Sequence, residues 1–118
     1  MFPCELIHAD DPAVVVFTDW MPRGADNAVF TVDLTVIVNC DVTVTVYHKN
    51  SEETGAGASA GAIVTGTNTE GLRSATKTSL MEMVRYRFEV AIRDDKYPGG
   101  VMHRILPPTW FNTARVPA

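Results

Sequence analysis

A chain of 118 residues, 46% hydrophobic and 20% charged, is the size of one domain whose core needs no disulfide or metal staple. Its formal charge of −4 excludes the basic excess of a general nucleic-acid binder, and no stretch approaches the roughly 18 apolar residues that cross a bilayer as a helix. The charge is uneven, with nine acidic and two basic residues in 1–59 against five acidic and eight basic in 60–118. Strands from the two halves cancel this asymmetry if they interleave.

The segment Met1-Phe2-Pro3-Cys4-Glu5 lacks the basic start and apolar run of a secretory signal, which predicts a cytoplasmic origin. Cys4 and Cys40 are then expected as reduced thiols, Cys40 as a small core residue. Prolines 3, 12 and 22 lie near the start and 98, 107, 108 and 117 near the end, with none between. Because proline is excluded from central strands, the pattern predicts an N-terminal arm (1–12), a β body (13–106) and a C-terminal arm (107–118).

Strands are predicted at 13–19, 29–38, 42–48, 62–67, 72–78, 82–93 and 101–106, with turns at 22–27, 68–71 and 94–100, the last a hairpin connection. Every even-numbered residue from Phe30 to His48 except the last is apolar, while all but two of the odd ones are Thr, Asp or Asn. Alternation of this kind puts the apolar side chains on one face of a sheet. As one strand it would run about 60 Å, so a hairpin or sharp bend is expected at 39–41, where a three-residue turn preserves parity. Residues 49–61, KNSEETGAGASAG, read as a long small-residue loop. Ser79-Leu80-Met81-Glu82 fits a helical capping box, but Val84, Tyr86, Phe88, Val90 and Ile92 alternate with polar residues. The segment 79–93 is therefore read as strand, with a helical turn before it as the alternative.

Chemistry-bearing patterns are sparse. His8, His48 and His103 form no ligand pair at metal spacing, and a site would need the fold to gather all three. His8-Ala9-Asp10-Asp11 reads as turn chemistry leading into the first predicted strand. The stretch 55–61 is glycine-rich, yet no Gly-Lys-Ser/Thr follows and a strand rather than a helix comes next, which excludes a phosphate loop. No serine sits in a nucleophile elbow. Trp20, Tyr47, Tyr97, Trp110 and Phe111 could build a stacking platform for sugars or close the ends of the core, the second reading being favoured. Arg85, Arg87 and Arg93, with Arg104 on an expected partner strand, suggest a basic stripe that Glu89 interrupts.

These observations predict an all-β fold, an antiparallel β-sandwich, jelly-roll-like or Ig-like, of about seven to eight strands with extended terminal arms. In overall layout the chain resembles small β-sandwich proteins of tailed-phage particles, such as capsid decoration (cement) or tail proteins; the resemblance assigns no residue a role. It implies a non-enzymatic structural subunit of a large symmetric assembly, in the virion or a cytoplasmic assembly, without a membrane or direct nucleic-acid contact. Its partners would be other copies of itself or a major structural protein, and its arm anchors Trp110, Phe111, Arg115 and Phe2. No cofactor, metal or catalytic residue is expected. The alternatives are a carbohydrate- or ligand-binding sandwich module and, third, a small metal-dependent enzyme built on the three histidines.

Overall fold

The structure, a computed structural model, describes residues 4–9, 13–94 and 96–112, with 4–9 and 13 described by their backbone. Ten strands follow in chain order: β1 (Cys4–Ala9), β2 (Ala13–Phe17), β3 (Met21–Pro22), β4 (Asn27–Val38), β5 (Cys40–Lys49), β6 (Ala58–Thr67), β7 (Gly71–Lys77), β8 (Met83–Ile92), β9 (Gly99–Ile105) and β10 (Thr109–Phe111). They form two antiparallel sheets packed together. One has the order β1-β9-β4-β7, and the other β2-β8-β5-β6. The short strands extend existing edges: β10 continues β9 along β4 at residues 27–29, and β3 continues β2 along β8 at Met83 and Val84.

All seven predicted strands are present, and three further strands, β1, β3 and β10, were not expected. Residues 4–9, assigned from sequence to an arm, pair in register with β9, and Trp110 of the C-terminal arm pairs with Ala28. The prolines explain the difference. Pro98, Pro107 and Pro108 lie in links between strands, so they delimit ladders rather than mark where the ladders stop. No helical turn precedes β8; residues 78–82 form an irregular link, with Ser79 at φ 54° and Leu80 buried.

Of the three expected turns, 22–27 overlaps β3 at Pro22, and 94–100, expected as a hairpin connection, joins strands of different sheets. The links β3–β4, β6–β7, β7–β8 and β8–β9 each pass from one sheet to the other, so the loop at 94–100 connects layers and does not close a hairpin. β5 and β6 do pair as sequence neighbours, joined through residues 50–57.

The long alternation conceals two changes of face that cancel. On β4, Val32 and Leu34 are buried, but an extra residue between Leu34 and Val36 shifts the register against β9. Thr35 is that residue, its hydroxyl donating to the Met102 carbonyl at 2.9 Å. Past this bulge Ile37 packs against the core, while Val36 and Val38 point to solvent. The chain then turns at Asn39, which adopts a left-handed φ of 51°, and Cys40 is buried again in the second sheet. The expected bend is therefore present as a corner between sheets, not as a hairpin pairing Val38 with Val42.

Asn39 holds more than its own corner. Its side-chain amide donates to the carbonyls of Asp94 and Tyr97 at 2.8 and 2.9 Å and accepts from the Asp94 N–H at 3.1 Å. This ties the β4–β5 corner to the β8–β9 crossing beside it. Gly99 is needed there, because a Cβ would lie 2.8 Å from the Asn39 carbonyl oxygen.

Between the sheets, Phe30 meets Tyr86 and Trp110 edge to face at centroid distances of 5.7 and 5.8 Å, and Phe88 lies 4.2 Å from the His103 ring. Valines 32, 42, 44, 46, 84, 90 and 101 fill the layer around them. Each such side chain contributes about 1.5–3 kcal/mol by leaving water. Cys40 is a free thiol in this layer, 3.4 Å from the Gly100 carbonyl, and burial raises its pKa.

Candidate functional site

Three surfaces differ from an ordinary solvated sheet. The first is the outer face of the β4 sheet. Val36 is the register partner of Met102, and Val38 the partner of Gly100. All three side chains, Val36, Val38 and Met102, are exposed, Val38 to 54%. Gly100 offers no side chain to cover Val38. On the other edge of β4, Leu72 pairs with Asp33 and is 60% exposed. Asp33 accepts an ion-paired hydrogen bond from Arg104 at 3.2 Å, so one charged pair sits within this apolar row.

The outer face of the β5 sheet is built differently. The Arg85 guanidinium lies between two rings, 4.0 Å from the centroid of Phe17 and 4.3 Å from that of Trp20, and Lys49 sits 4.8 Å from the Trp20 ring. Tyr47 closes on Phe17 edge to face at 5.6 Å. The β5–β6 loop completes the stack: Arg85 donates to the Ala56 carbonyl at 3.1 Å, and a Cβ on Gly57 would come within 2.7 Å of the Trp20 ring. Nearby, His48 Nδ1 accepts the Met81 N–H at 3.2 Å. Burial lowers the His48 pKa, with the Glu53 charge acting in the opposite direction.

The third surface is a cleft of about 360 Å³ where β2 gives way to β3. Val14 and Val16 pair with Val90 and Phe88 and so share the inward parity, yet Val16 is 38% exposed because the space beside it is open. Thr18 holds the edge through a backbone bond to Tyr86 at 3.0 Å, with its hydroxyl accepting the Tyr86 N–H at 2.9 Å. The chain then leaves the ladder until Met21. Met21, Tyr86, Phe88 and Ile105 line the cleft together with the polar Thr18, Asp19, Trp20 and His103. Tyr86 is 1% exposed, and its hydroxyl has no hydrogen-bond partner among the described residues. Burial pushes the phenol pKa far above its ordinary value, so it remains a neutral donor.

The residues singled out from sequence are not gathered into one place. Trp110 packs its ring on Phe30 and over Gly24, committing it to the core of its own chain. Phe111 beside it is exposed. Phe2 and Arg115 lie outside the described residues, as do Asp10 and Asp11. His103 stacks in the core on Phe88, whose partner on β5 is Val44. His48 lies four residues further along β5, about 13 Å away. The side chain of His8 is not among those described. Among the described residues no three His, Cys, Asp or Glu side chains gather as metal ligands would, and no helix is long and apolar enough to cross a membrane.

Of the five aromatics weighed as a sugar platform, Trp20 and Tyr47 share the stack around Arg85 and Phe17, whereas Trp110 packs against the core and Tyr97 lies by the Asn39 corner. The basic stripe is also divided, because Arg104 belongs to the other sheet from Arg85, Arg87 and Arg93. Arg87 pairs with Glu89 at 3.0 Å and Arg93 approaches Asp41 at 3.8 Å. With Asp33–Arg104, two of these pairs join the acidic half of the sequence to its basic half, which is the interleaving anticipated from the charge balance.

Neither the exposed valine row nor the cleft was foreseen. The row follows from a bulge that leaves no composition signal, since all residues of 30–38 are acceptable in a strand apart from Asp33. The cleft had one available sign: Thr18-Asp19 ends the apolar run of β2 shortly before Pro22. Compared with protein-family models, with curated proteins and with solved structures, the chain matches none.

Proposed function

We propose that the fold is an eight-stranded jelly roll and that the chain is a non-enzymatic structural subunit of a large symmetric assembly, contacting copies of itself through the outer face of the β4 sheet. Taking β3 with β2 and β10 with β9 leaves four strands per sheet, and the links β1–β2, β4–β5, β6–β7 and β8–β9 all cross between sheets. That order supports the jelly-roll reading, an architecture used by viral capsid proteins and also by lectins and cupins, so it does not select a function by itself.

The observation that carries the assembly reading is the row Val36, Val38 and Met102. A monomer gains nothing from a bulge that turns two valines into water, whereas a contact gains about 25 cal/mol per Å² of apolar area it covers. A capsid decoration (cement) or tail component of a phage particle is the specific form of this proposal. Because Trp110 packs edge to face on Phe30, removing 107–118 is expected to cost the monomer stability as well as any contact.

The test is native mass by light scattering over a range of concentrations. The wild-type chain should run at a multiple of its 12.9 kDa, and Val36→Asp with Val38→Asp should return it to monomer with an unchanged melting temperature. A wild-type monomer at every concentration contradicts the proposal.

A further inference from the structure

We propose that β2 is a self-pairing edge: it adds to β2 of a second copy across a two-fold axis at Val16, joining two β5 sheets into one. Among the described residues β2 pairs with β8 on one side and with no strand on the other. Its free side carries unpaired backbone groups. Thr18 bonds to Tyr86, and bonded pairs alternate in an antiparallel ladder, so Val14 and Val16 turn their N–H and C=O toward β8 while Val15 and Phe17 turn theirs outward. Val16 has the inward parity yet is 38% exposed, and the cleft opens beside it. An inward side chain left open beside a row of outward amides marks the place of a further strand.

The opposite edge of the same sheet is protected. There β6 shifts register against β5 at three points, takes positive φ at Gly61 and Gly66, and has its Ala62 carbonyl bonded by Lys77 at 2.8 Å. Residues 13–17, Ala-Val-Val-Val-Phe, contain no charge, proline or glycine, and their register with β8 is unbroken. The occupant is a second copy because the strand complements itself. With the two-fold at Val16, Val15 lies opposite Phe17 of the copy and exchanges backbone hydrogen bonds with it, and the symmetric pair repeats this. The two Val16 residues form the non-hydrogen-bonded pair between them, where side chains approach closest, and each covers the open side of the other. This register sets Asp19 opposite Ala13, whereas a two-fold at Val15 would set it opposite Asp11, like charge on like. A strand pair of this length buries less than the roughly 1,200 Å² of a stable interface. The contact therefore rests on the assembly reading, acting between copies already held together through the other sheet.

The experiment is disulfide trapping of Val16→Cys beside Val15→Cys, each with Cys4→Ser so that the buried Cys40 is the remaining thiol, under air oxidation with copper phenanthroline. Across the two-fold the paired positions 16 lie about 4.5 Å apart at Cα, within disulfide range, while positions 15 are diagonal neighbours at about 7–8 Å. Val16→Cys should form the interchain disulfide at least about tenfold faster than Val15→Cys, although Val15 is the more exposed at 44%. Adding Val36→Asp and Val38→Asp should slow the linking and leave the preference for position 16 intact. Equal rates at the two positions, or no interchain link in Val16→Cys, overturns the proposal, even where light scattering shows an assembly. A chain that light scattering finds monomeric but that still links selectively in Val16→Cys retains this contact and overturns the valine row alone.

Discussion

The two outer faces of the sandwich are made from the same kinds of strand, yet one is covered by its own chain and the other is bare. On the β5 sheet, Arg85 is clamped between Phe17 and Trp20, and the 50–57 loop is tied down by the same guanidinium. On the β4 sheet, Val36, Val38 and Met102 meet no covering loop among the described residues, and the β9 partner of Val38 is Gly100. The difference does not lie in hydrophobicity, since the β5 sheet exposes Phe17 and Val15 as well. It lies in whether long side chains and a loop are available to complete the surface locally. A face finished by its own chain is expected to be energetically important to the monomer; a face left unfinished is expected to matter to a partner.

Substitutions can separate these roles. The largest effect should come from the interior both faces share: Phe30→Ala, removing a fully buried ring that contacts Tyr86 and Trp110, should cost about 3–5 kcal/mol in urea unfolding and collapse both surfaces together. Next comes the corner that gives the two sheets their separate identities. Asn39→Ala loses the side-chain bonds to Asp94 and Tyr97 and places alanine at φ 51°, for an expected loss of about 2–3 kcal/mol. Asn39→Gly should recover the backbone part alone.

Arg85→Ala probes the covered face directly. It removes both ring contacts and the bond to the loop, and about 1–2 kcal/mol of stability should go with them. The matching change on the bare face, Val38→Thr, should alter monomer stability by less than about 0.5 kcal/mol. Equal losses at the two positions would erase the distinction between the faces.

The smallest expected effect is a pH dependence at the end of β5, where His48 pairs with the buried Val84. His48 has a folded pKa below its ordinary 6.5, first because of burial, and its Nδ1 must remain unprotonated to accept the Met81 N–H. The unfolded state therefore binds the proton more readily, so this contribution is complete above pH 6.5 and is lost as pH falls through the lower folded value. Urea midpoints of wild type minus His48→Gln should decline with acidification in that window. A difference that is flat, or that grows on acidification, would contradict the assignment.

Much of the strand content was legible in the sequence because alternation reports it directly; the facing of residues 35–38 was not. Alternation assigns faces only while the ladder is regular, and the extra residue at Thr35 and the left-handed turn at Asn39 each change the face once. Two changes restore the original parity, so Cys40 to Val46 were correctly assigned to the core while Val36 and Val38 were not. The crossings between sheets were illegible for a related reason, since Asp94 to Gly100 has the same turn-forming composition whether it closes a hairpin or links layers. The cleft depends on a gap between β2 and β3 together with residues from β8 and β9, a juxtaposition no local pattern contains.

The most direct test of the unfinished face uses a side chain that already reports on it. Met102 stands beside Val36 on the bare face, and Met83 lies at the end of β8 in the other sheet, giving a reporter and an internal control. Peroxide oxidation followed by peptide mass spectrometry, at dilute and at assembling concentrations, compares the two. The account predicts that Met102 oxidation slows several-fold on assembly while Met83 is unchanged; equal rates for Met102 in both conditions would show that the face stays open and that the valine row is not the contact.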